Sequence, residues 1–270
     1  KAKKIYQYLQ SKTRYISVQI GIGGIQPIAA SEVDRLGYGD CKALVNYMQS
    51  LLKAADVDSY YCVVEAGSQK KSMDPKFADM SQGNHIILCL PLKNDTTWLE
   101  CTSQKIPFGF LGDFTDDRIV FACTPEGGKL LRTPKLSAQG NLQIRRANLK
   151  INQDGTLSGD MSTVFSGAQY DNHESIISKP IAEQHKALKS SYNIDNINFE
   201  KVVYTQEKTS DPKITEVLQV NIGNYATING DKLYMQPNAF NIARSIPEVK
   251  TRVLPVYINR GYTDEDTISY

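Results

Sequence analysis

The sequence lacks long hydrophobic runs and dense blocks of charge of one sign. A membrane-spanning helix needs about 20 predominantly apolar residues, whereas a typical apolar run here, residues 86–92, is far shorter. We therefore expect no membrane-spanning segment in this chain. Lys and Arg number 31 against 29 Asp and Glu, which gives a net charge of +2. Because phosphate binding requires clustered basic charge, this balance argues against a nucleic-acid-binding protein.

The sequence is also poor in the residues from which metal and disulfide sites are built. It has three histidines and five cysteines, with no Cys-x-x-Cys spacing, so we expect neither a zinc site of the usual Cys/His pattern nor a redox dithiol. The cysteines are Cys41, Cys62, Cys89, Cys101 and Cys123. Because five is an odd number, at least one thiol must be free. These counts direct attention to thiol chemistry without a metal or an organic cofactor.

The chain changes character near residue 135, which predicts two domains, 1–134 and 135–270. At 270 residues the chain is long enough for each domain to bury its own core. Helical and strand patterns are mixed before the change, which indicates an α+β domain. Alternating polar and apolar segments follow it, and the dipeptides Asp154-Gly155 and Asn229-Gly230 are typical of tight hairpin turns. We therefore expect an antiparallel β domain in the second half, incomplete or part of a longer protein.

The most informative stretch is a helical pattern that begins at a cysteine. Apolar residues recur with the spacing of one helix face, at positions 44, 47, 48, 51, 52 and 55. The run Gly-Tyr-Gly-Asp before this pattern cannot continue the helix upstream, so Asp40 or Gly39 is the expected N-cap and Cys41 lies in the first turn. The N–H groups and the positive dipole end of that turn stabilise a thiolate and can receive the oxyanion of an acyl-transfer intermediate. Cys41 is therefore a candidate nucleophile.

A nucleophilic thiol needs a proton acceptor and donor, and His85 is the best candidate in the sequence. It opens a strand pattern that is followed by a turn at Lys93-Asn94 and by a returning strand. In a hairpin closed by this two-residue turn, His85 faces Thr102, and Glu100 is its diagonal neighbour on the same face. A register shift of one residue would place the two on opposite faces. We expect His85 and Glu100 to be neighbours, with the start of the Cys41 helix beside them.

These residues resemble the transglutaminase-like superfamily, whose members are circularly rearranged relatives of papain-type cysteine proteases. The resemblance covers about residues 1–125 and rests on the ordered motifs Gly-Asp-Cys41, Asn-His85 and Trp-Leu-Glu100. It implies a papain-like α+β domain in which Cys41 is the nucleophile, His85 the general base and acid, and Glu100 the orienting carboxylate. The family most often has Asp in the third position, so the longer Glu100 side chain must retract or the hairpin must shift.

The resemblance also implies a setting for this domain. Residues 15–24 are similar to the segment that precedes the catalytic helix in bacterial relatives, and there Gln19 would supply a side-chain donor to the oxyanion hole. The second half of the chain resembles the β-rich, sandwich-like domain that follows in such proteins. The resemblance further implies an exported protein of the bacterial cell envelope or periplasm that acts on a peptide or protein substrate without a cofactor.

The predicted activity is thiol-dependent acyl transfer on a peptide or amide, with a cysteine peptidase or amidase favoured because water is always available as the acceptor. Two alternatives stay open, a protein cross-linking transglutaminase and a non-catalytic binding or assembly module that retains the fold. The simplest alternative interpretation of Cys41 itself is a small buried residue at a helix start. His173 is interpreted as a turn residue, His185 as half-buried at a packing edge, and Trp98 as a packing anchor or a wall of the substrate cleft.

Overall fold

The structure is a computed structural model that describes residues 1–93, 95–241 and 249–270. Helices and largely antiparallel sheets are mixed along the described chain, which is an α+β protein. By its internal contacts the chain divides into two compact units. The first unit comprises Lys1–Leu136 and Lys208–Pro212, and the second comprises Ser137–Glu207 and Lys213–Tyr270.

The described part of the first unit contains three α-helices and seven strands. The helices are α1 (Ala2–Lys12), α2 (Ala30–Leu36) and α3 (Cys41–Ala54). The strands are β1 (Arg14–Tyr15), β2 (Tyr38–Gly39), β3 (Tyr60–Val64), β4 (His85–Leu92), β5 (Asp95–Leu99), β6 (Ile119–Thr124) and β7 (Gly127–Arg132). Five of these strands form an antiparallel sheet in the order β5-β4-β3-β6-β7, whereas β1 and β2 form a short parallel pair.

Helix α3 packs on one face of this sheet because its apolar stripe meets alternate residues of β4. Leu44 and Met48 of α3 are buried in one cluster with Leu88 and Leu90 of β4. Burying an aliphatic side chain contributes about 1.5–3 kcal/mol relative to leaving it exposed. Ile87, which points the other way, is buried in a second cluster on the opposite face. Burial on both faces explains why β4 has a continuous apolar run instead of an alternating pattern.

The described part of the second unit contains two α-helices and seven strands. The helices are α4 (Ala168–Ile177) and α5 (Ile181–Tyr192). The strands are β8 (Leu142–Ile151), β9 (Leu157–Ser166), β10 (Ile197–Glu207), β11 (Lys213–Ile222), β12 (Thr227–Asn229), β13 (Lys232–Tyr234) and β14 (Thr263–Ser269). Five strands form a sheet in the order β10-β11-β9-β8-β14, and β12 pairs with β13.

Both hairpin turns expected in the second half are present. Strands β8 and β9 pair around Gly155, whose φ is +81°, and β12 and β13 pair around Gly230, whose φ is +65°. Glycine adopts such positive φ angles at little steric cost. Gly155 has a second reason to be glycine, because a Cβ there would lie 2.3 Å from the carbonyl oxygen of Ala226.

The second unit differs from the expected antiparallel, sandwich-like domain in two ways. Strand β14 runs parallel to β8, with Thr263 opposite Leu142, so the sheet is mixed. Helices α4 and α5 cover one face of the sheet, where Ile176 and Leu188 pack with Leu218 in a single cluster. In the described residues, helices therefore cover this sheet, and no second large sheet packs against it. The sequence of β14 is rich in Asp and Glu, and such a polar strand has no apolar alternation that could predict it.

His173 lies inside α4, so its interpretation as a turn residue was wrong. Its ring stacks on Phe165 with 3.7 Å between centroids, and its Nδ1 donates to the Gln169 carbonyl at 2.6 Å. The polar residues around His173 give α4 a weak apolar periodicity, which concealed the helix. His185 is half-buried in α5, and its ring meets Phe199 edge-on at 6.1 Å, as expected for a residue at a packing edge.

Candidate active site

Cys41 is the first residue of α3, and Asp40 caps this helix. Asp40 Oδ1 accepts a hydrogen bond from the Ala43 amide at 3.0 Å, a contact of a kind typically worth about 1 kcal/mol. The other carboxylate oxygen forms an ion pair with Lys42. Gly39 leaves room for this turn, since a Cβ there would lie 2.7 Å from the Cβ of Ala43. The cap thus holds Cys41 at the positive end of the helix, beside the N–H groups of its first turn.

The hairpin of β4 and β5 has the predicted register, with Leu88 opposite Leu99. Glu100 follows β5 directly and therefore points to the same face of the hairpin as His85. His85 Nε2 donates to Glu100 Oε2 at 2.8 Å, and both side chains are buried. Asn94, the second residue of the predicted turn, lies outside the described residues.

The Glu100 side chain is retracted, while the hairpin register is unshifted. Its second oxygen, Oε1, accepts from the backbone N–H of Thr102 at 2.9 Å and also from the Thr102 hydroxyl. These two contacts bend the carboxylate back toward its own backbone. The Glu100 carbonyl accepts from the Tyr6 hydroxyl at 2.7 Å, which ties the residue to α1. A carboxylate with this many donors stays ionised.

Glu100 also sets the charge of the imidazole. Burial on its own would lower the pKa of His85, but the charge of Glu100 and hydrogen bonds with Cys41 and Glu100 outweigh burial and raise it to about 10. Burial on its own would raise the pKa of Glu100, but the charge of His85 and the Thr102 donors outweigh burial, so the pKa of this carboxyl is lowered. The two groups therefore form an ion pair, with the imidazole protonated at neutral pH.

Cys41 completes the cluster, since its thiol lies close enough to His85 to contribute to the raised pKa of the imidazole. Since Nε2 of the ring faces Glu100, Nδ1 is the nitrogen available to the sulfur. The Phe114 ring covers the imidazole edge-on with 5.4 Å between centroids. Tyr61 of β3 packs against the buried cluster that contains Cys41. Burial and then the charges of Cys41 and Asp40 raise the pKa of its phenol. The structure thus brings together Cys41, His85 and Glu100; their catalytic roles stay predictions.

Gln19 is placed less favourably for its expected role. Its side chain is exposed, and Nε2 donates to Ser17 Oγ at 3.4 Å, which directs the amide to its own segment. The segment that contains Gln19 nevertheless begins beside the start of α3, since the Ile16 amide donates to the Gly39 carbonyl at 2.9 Å. An oxyanion role for Gln19 stays a prediction.

The sequence analysis assigned no role to four residues around the cluster, although it placed one of them, Thr102, opposite His85. Thr102 could have been found, because a hydroxyl two residues after a carboxylate often donates to it in a local turn. Tyr6, Tyr61 and Phe114 reach the site from distant parts of the chain, and no motif marks them. Long-range packing alone identifies these three.

Three of the other four cysteines and Trp98 lie in packed, buried settings. Cys62, Cys89 and Cys101 are buried, and so is Trp98, which packs in the cluster on the sheet face away from α3. Cys123 is the exception, since it is exposed on β6. Its exposure makes Cys123 an internal reference against which the reactivity of Cys41 can be measured.

An apolar groove of about 640 Å³ opens on the α3 side of the sheet. Val63 lines it and also packs against the cluster that contains Cys41. Tyr61, two residues earlier on β3, points to the same face and packs against the same cluster. The exposed side chains of Phe121 and Leu130 form part of the wall of the groove. The groove therefore shares a sheet face with the candidate nucleophile.

The comparisons with known proteins add little to this geometry. Neither a protein-family model nor a curated protein sequence matches the chain. One solved structure that it resembles belongs to a protein from Parabacteroides distasonis described as a "putative protease". The TM-score is 0.42 at 9% sequence identity, and the match covers 87% of this chain but 46% of the other. The chain thus spans about half the length of that protein.

Two properties concern the described residues as a whole. No helix among residues 1–93, 95–241 and 249–270 combines the length and the apolar character needed to cross a membrane. In the same residues, no three His, Cys, Asp or Glu side chains converge as the ligands of a metal ion would.

Proposed function

We propose that the first unit is a cysteine peptidase or amidase of the transglutaminase-like superfamily, with Cys41, His85 and Glu100 as its triad. One observation carries the proposal: a buried imidazole is hydrogen-bonded to a carboxylate, and the thiol at a helix N-terminus lies close enough to contribute to the raised pKa of the same imidazole. A nucleophile, a base and an orienting group joined in this order are the parts that covalent acyl transfer requires. Structural cysteines in cores need neither partner.

The proposed reaction proceeds through a thioester. A protonated imidazole beside the sulfur favours the thiolate, which attacks the carbonyl carbon of an amide. His85 then gives its proton to the leaving amine, the C–N bond breaks, and the acyl group remains on Cys41. Water, deprotonated by His85, attacks the thioester, and the thiol is released with the carboxylic acid.

The remaining groups act on charge and orientation. Glu100 holds Nε2, so that Nδ1 faces the sulfur and the imidazolium is stabilised as it forms. The N–H groups in the first turn of α3 are placed to receive the oxyanion of each tetrahedral intermediate. Gln19 is a candidate second donor, provided that its amide turns away from Ser17.

The groove on the α3 face supports a peptide as the substrate. Its Val63, Phe121 and Leu130 offer apolar surface for a side chain adjoining the scissile amide. Apolar pockets with a few polar groups are the common form of small-ligand and side-chain sites. A substrate with a large apolar residue close to the cleaved bond is therefore expected to be preferred.

The experiment is turnover of fluorescently labelled, unfolded casein in the presence of dansylcadaverine. The wild-type chain is compared with Cys41→Ala and with Cys123→Ala as the matched thiol control. We expect labelled fragments from the wild type and from Cys123→Ala, and none from Cys41→Ala. Dansyl incorporation without fragments would indicate a transglutaminase, whereas neither product from any chain would contradict an enzyme and favour a binding module.

A further inference from the structure

The second unit has a buried row of polar side chains that crosses all five strands of its sheet. Asp266 of β14 lies opposite Arg145 of β8, Arg145 opposite Thr163 of β9, Thr163 opposite Glu216 of β11, and Glu216 opposite Tyr204 of β10. Arg145, Thr163 and Glu216 are almost fully buried. Two residues farther along the central strands, the same face carries the apolar side chains of Ala147, Met161 and Leu218.

Most of this row is satisfied internally. Arg145 donates to Thr163 Oγ1 at 3.3 Å and to Asp266 Oδ1 at 3.4 Å. The two carboxylate oxygens of Glu216 accept from the hydroxyls of Tyr192 at 2.8 Å and Tyr204 at 2.7 Å. Buried ionic networks are often no more stabilising than an apolar core of the same volume. Stability alone therefore does not account for a polar row where the neighbouring positions are apolar.

A cavity of about 740 Å³ opens over this row, and all the residues that line it belong to the second unit. Gln143, on β8 beside Arg145, forms part of its floor. Gln143 is 8% exposed, and its Oε1 accepts from Arg145 at 3.4 Å. Its Nε2 is buried and has no hydrogen-bond partner among the described residues. A buried donor left unpaired costs about 1–3 kcal/mol, so an acceptor that reached Nε2 from the cavity would relieve this cost.

An acceptor lines the same cavity. His173 of α4 is one of its wall residues. Because the Gln169 carbonyl can only accept, His173 Nδ1 carries the proton in their 2.6 Å hydrogen bond. Burial lowers the pKa of His173, so the ring is neutral at neutral pH and its Nε2 is an acceptor. The residues that line the cavity thus include an unpaired donor, on Gln143, and a neutral imidazole with one acceptor nitrogen, on His173.

The charges around the cavity restrict the ligand further. Among the described residues that line the cavity, Arg145 is the one cation, whereas Glu216 and Asp264 line the cavity and Asp266 pairs with Arg145, so an anion is disfavoured. Each oxygen of these carboxylates already accepts a hydrogen bond, which leaves a cation little to bind. A neutral ligand fits this balance. The walls include the aromatic rings of Phe165, Tyr192, Phe240 and Tyr262.

We propose that this cavity is a binding site for a neutral, hydroxyl-rich molecule of the size of a mono- or disaccharide. A hydroxyl both donates and accepts, so one such ligand can serve Gln143 Nε2 and His173 Nε2 together. The aromatic walls supply apolar contact for the carbon faces of a sugar ring. The cavity volume is in the range of ordinary small-molecule sites. The site is separate in sequence and chemistry from the Cys41 cluster and does not depend on its activity.

The test is saturation-transfer NMR with isothermal titration on the 270-residue chain. Glucose, glucuronate and glucosamine form a matched set of neutral, anionic and cationic probes, and N-acetylglucosamine, galactose, maltose and cellobiose extend the neutral series. We expect at least one neutral sugar to bind, and the charged pair to bind more weakly than glucose or not at all. Absence of binding by every neutral sugar, or tightest binding by glucuronate or glucosamine, would overturn the proposal and leave a water-filled cavity or a charged-ligand site.

Two variants assign the binding to this cavity. Gln143→Leu removes the unpaired donor and is expected to lower the affinity for the sugar about tenfold or more. Gln219→Leu makes the same change at an exposed position of β11 and is expected to leave the affinity unchanged. His173→Phe keeps a ring that can stack on Phe165 and removes the acceptor, which serves if Gln143→Leu fails to fold. Wild-type affinity in a folded Gln143→Leu, or in a folded His173→Phe, would place the sugar elsewhere and refute the site.

Discussion

His85 Nε2 and Glu100 Oε2 form a 2.8 Å hydrogen bond inside the protein, although 15 residues separate them in the chain. The hairpin of β4 and β5 brings the two side chains to one face, and Thr102 holds the carboxylate bent back, within hydrogen-bonding distance of His85. This contact is the structural basis of the proposed chemistry, because it fixes which ring nitrogen faces Cys41.

Replacing Glu100 tests this contact directly. Glu100→Gln keeps the shape and removes the charge, so burial should prevail and the pKa of His85 should fall from about 10 to its usual value or below. We expect kcat/KM to drop about a hundredfold or more. Glu100→Asp keeps the charge and loses one methylene, so a smaller loss, about tenfold, is expected. An NMR titration of the imidazole reports the pKa.

The control for this pair is Glu183→Gln, which changes an exposed glutamate of α5 and should leave both measurements unaltered. If the pKa of His85 stayed near 10 in Glu100→Gln, the ion pair would not be the cause of its shift.

The same ion pair predicts how stability depends on pH. The pKa of His85 is raised from its usual 6.5 to about 10, so its contribution is complete below about 6.5 and is lost as the pH rises through 10. The pKa of Glu100 is lowered, so its contribution is present above its usual value of 4.5 and lost as the pH falls. Urea unfolding across this range should show stability declining from neutral to alkaline pH.

His85→Gln should flatten the alkaline part of that profile, because it removes the group that titrates. His185→Gln, at the edge of the other unit, is the matched change and should leave the slope intact. A wild-type slope in His85→Gln would assign the decline to other residues.

Tyr6 is predicted to secure the loop after Glu100. Its hydroxyl donates to the carbonyls of Glu100 at 2.7 Å and Ile106 at 3.1 Å, in a fully buried position. Tyr6→Phe retains the ring and strands these carbonyls, so the free energy of unfolding should fall by about 1–3 kcal/mol. Tyr8→Phe, on the exposed side of α1, should change it by less than about 0.5 kcal/mol. Equal effects of the two substitutions would show that the buried hydrogen bonds of Tyr6 add no more to the free energy of unfolding than an exposed hydroxyl does.

The groove predicts a change in substrate affinity without a change in chemistry. Leu130 is 46% exposed in its wall, so Leu130→Asn should raise KM for peptides with a large apolar residue about tenfold and leave kcat nearly constant. Leu92→Asn alters an equally exposed leucine of β4 outside the groove and should leave KM unchanged. An unchanged KM in Leu130→Asn would exclude this groove as a substrate site.

The sequence predicted the parts of the fold that depend on local patterns. The amphipathic stripe and the Asp40 cap define α3, and the predicted hairpin register gives the pairing of Leu88 with Leu99, because each follows from neighbouring residues. Strand β14 and helix α4 were missed, since their polar sequences become ordered through contacts with distant strands. The reach of Tyr6 to Glu100 depends likewise on tertiary packing, which no spacing along the chain encodes.

The candidate site was predictable in its members and less so in its energetics. The order of Cys41, His85 and Glu100 with the hairpin register was sufficient to place them together. The retraction of Glu100 by Thr102 was one of two open outcomes, and the charge state of His85 required the burial and distances of the folded chain. The exposed position of Gln19 shows where a resemblance did not specify side-chain geometry.

The alkylation rate of each cysteine by iodoacetamide at neutral pH, read by peptide mass spectrometry, tests most directly whether Cys41 is the nucleophile. Cys123 serves as the reference because it is exposed and burial raises the pKa of its thiol. We expect Cys41 to react fastest of the five although it is only 5% exposed, and we expect Glu100→Gln to slow Cys41 but not Cys123. Alkylation of Cys41 no faster than Cys123 would contradict the proposed nucleophile.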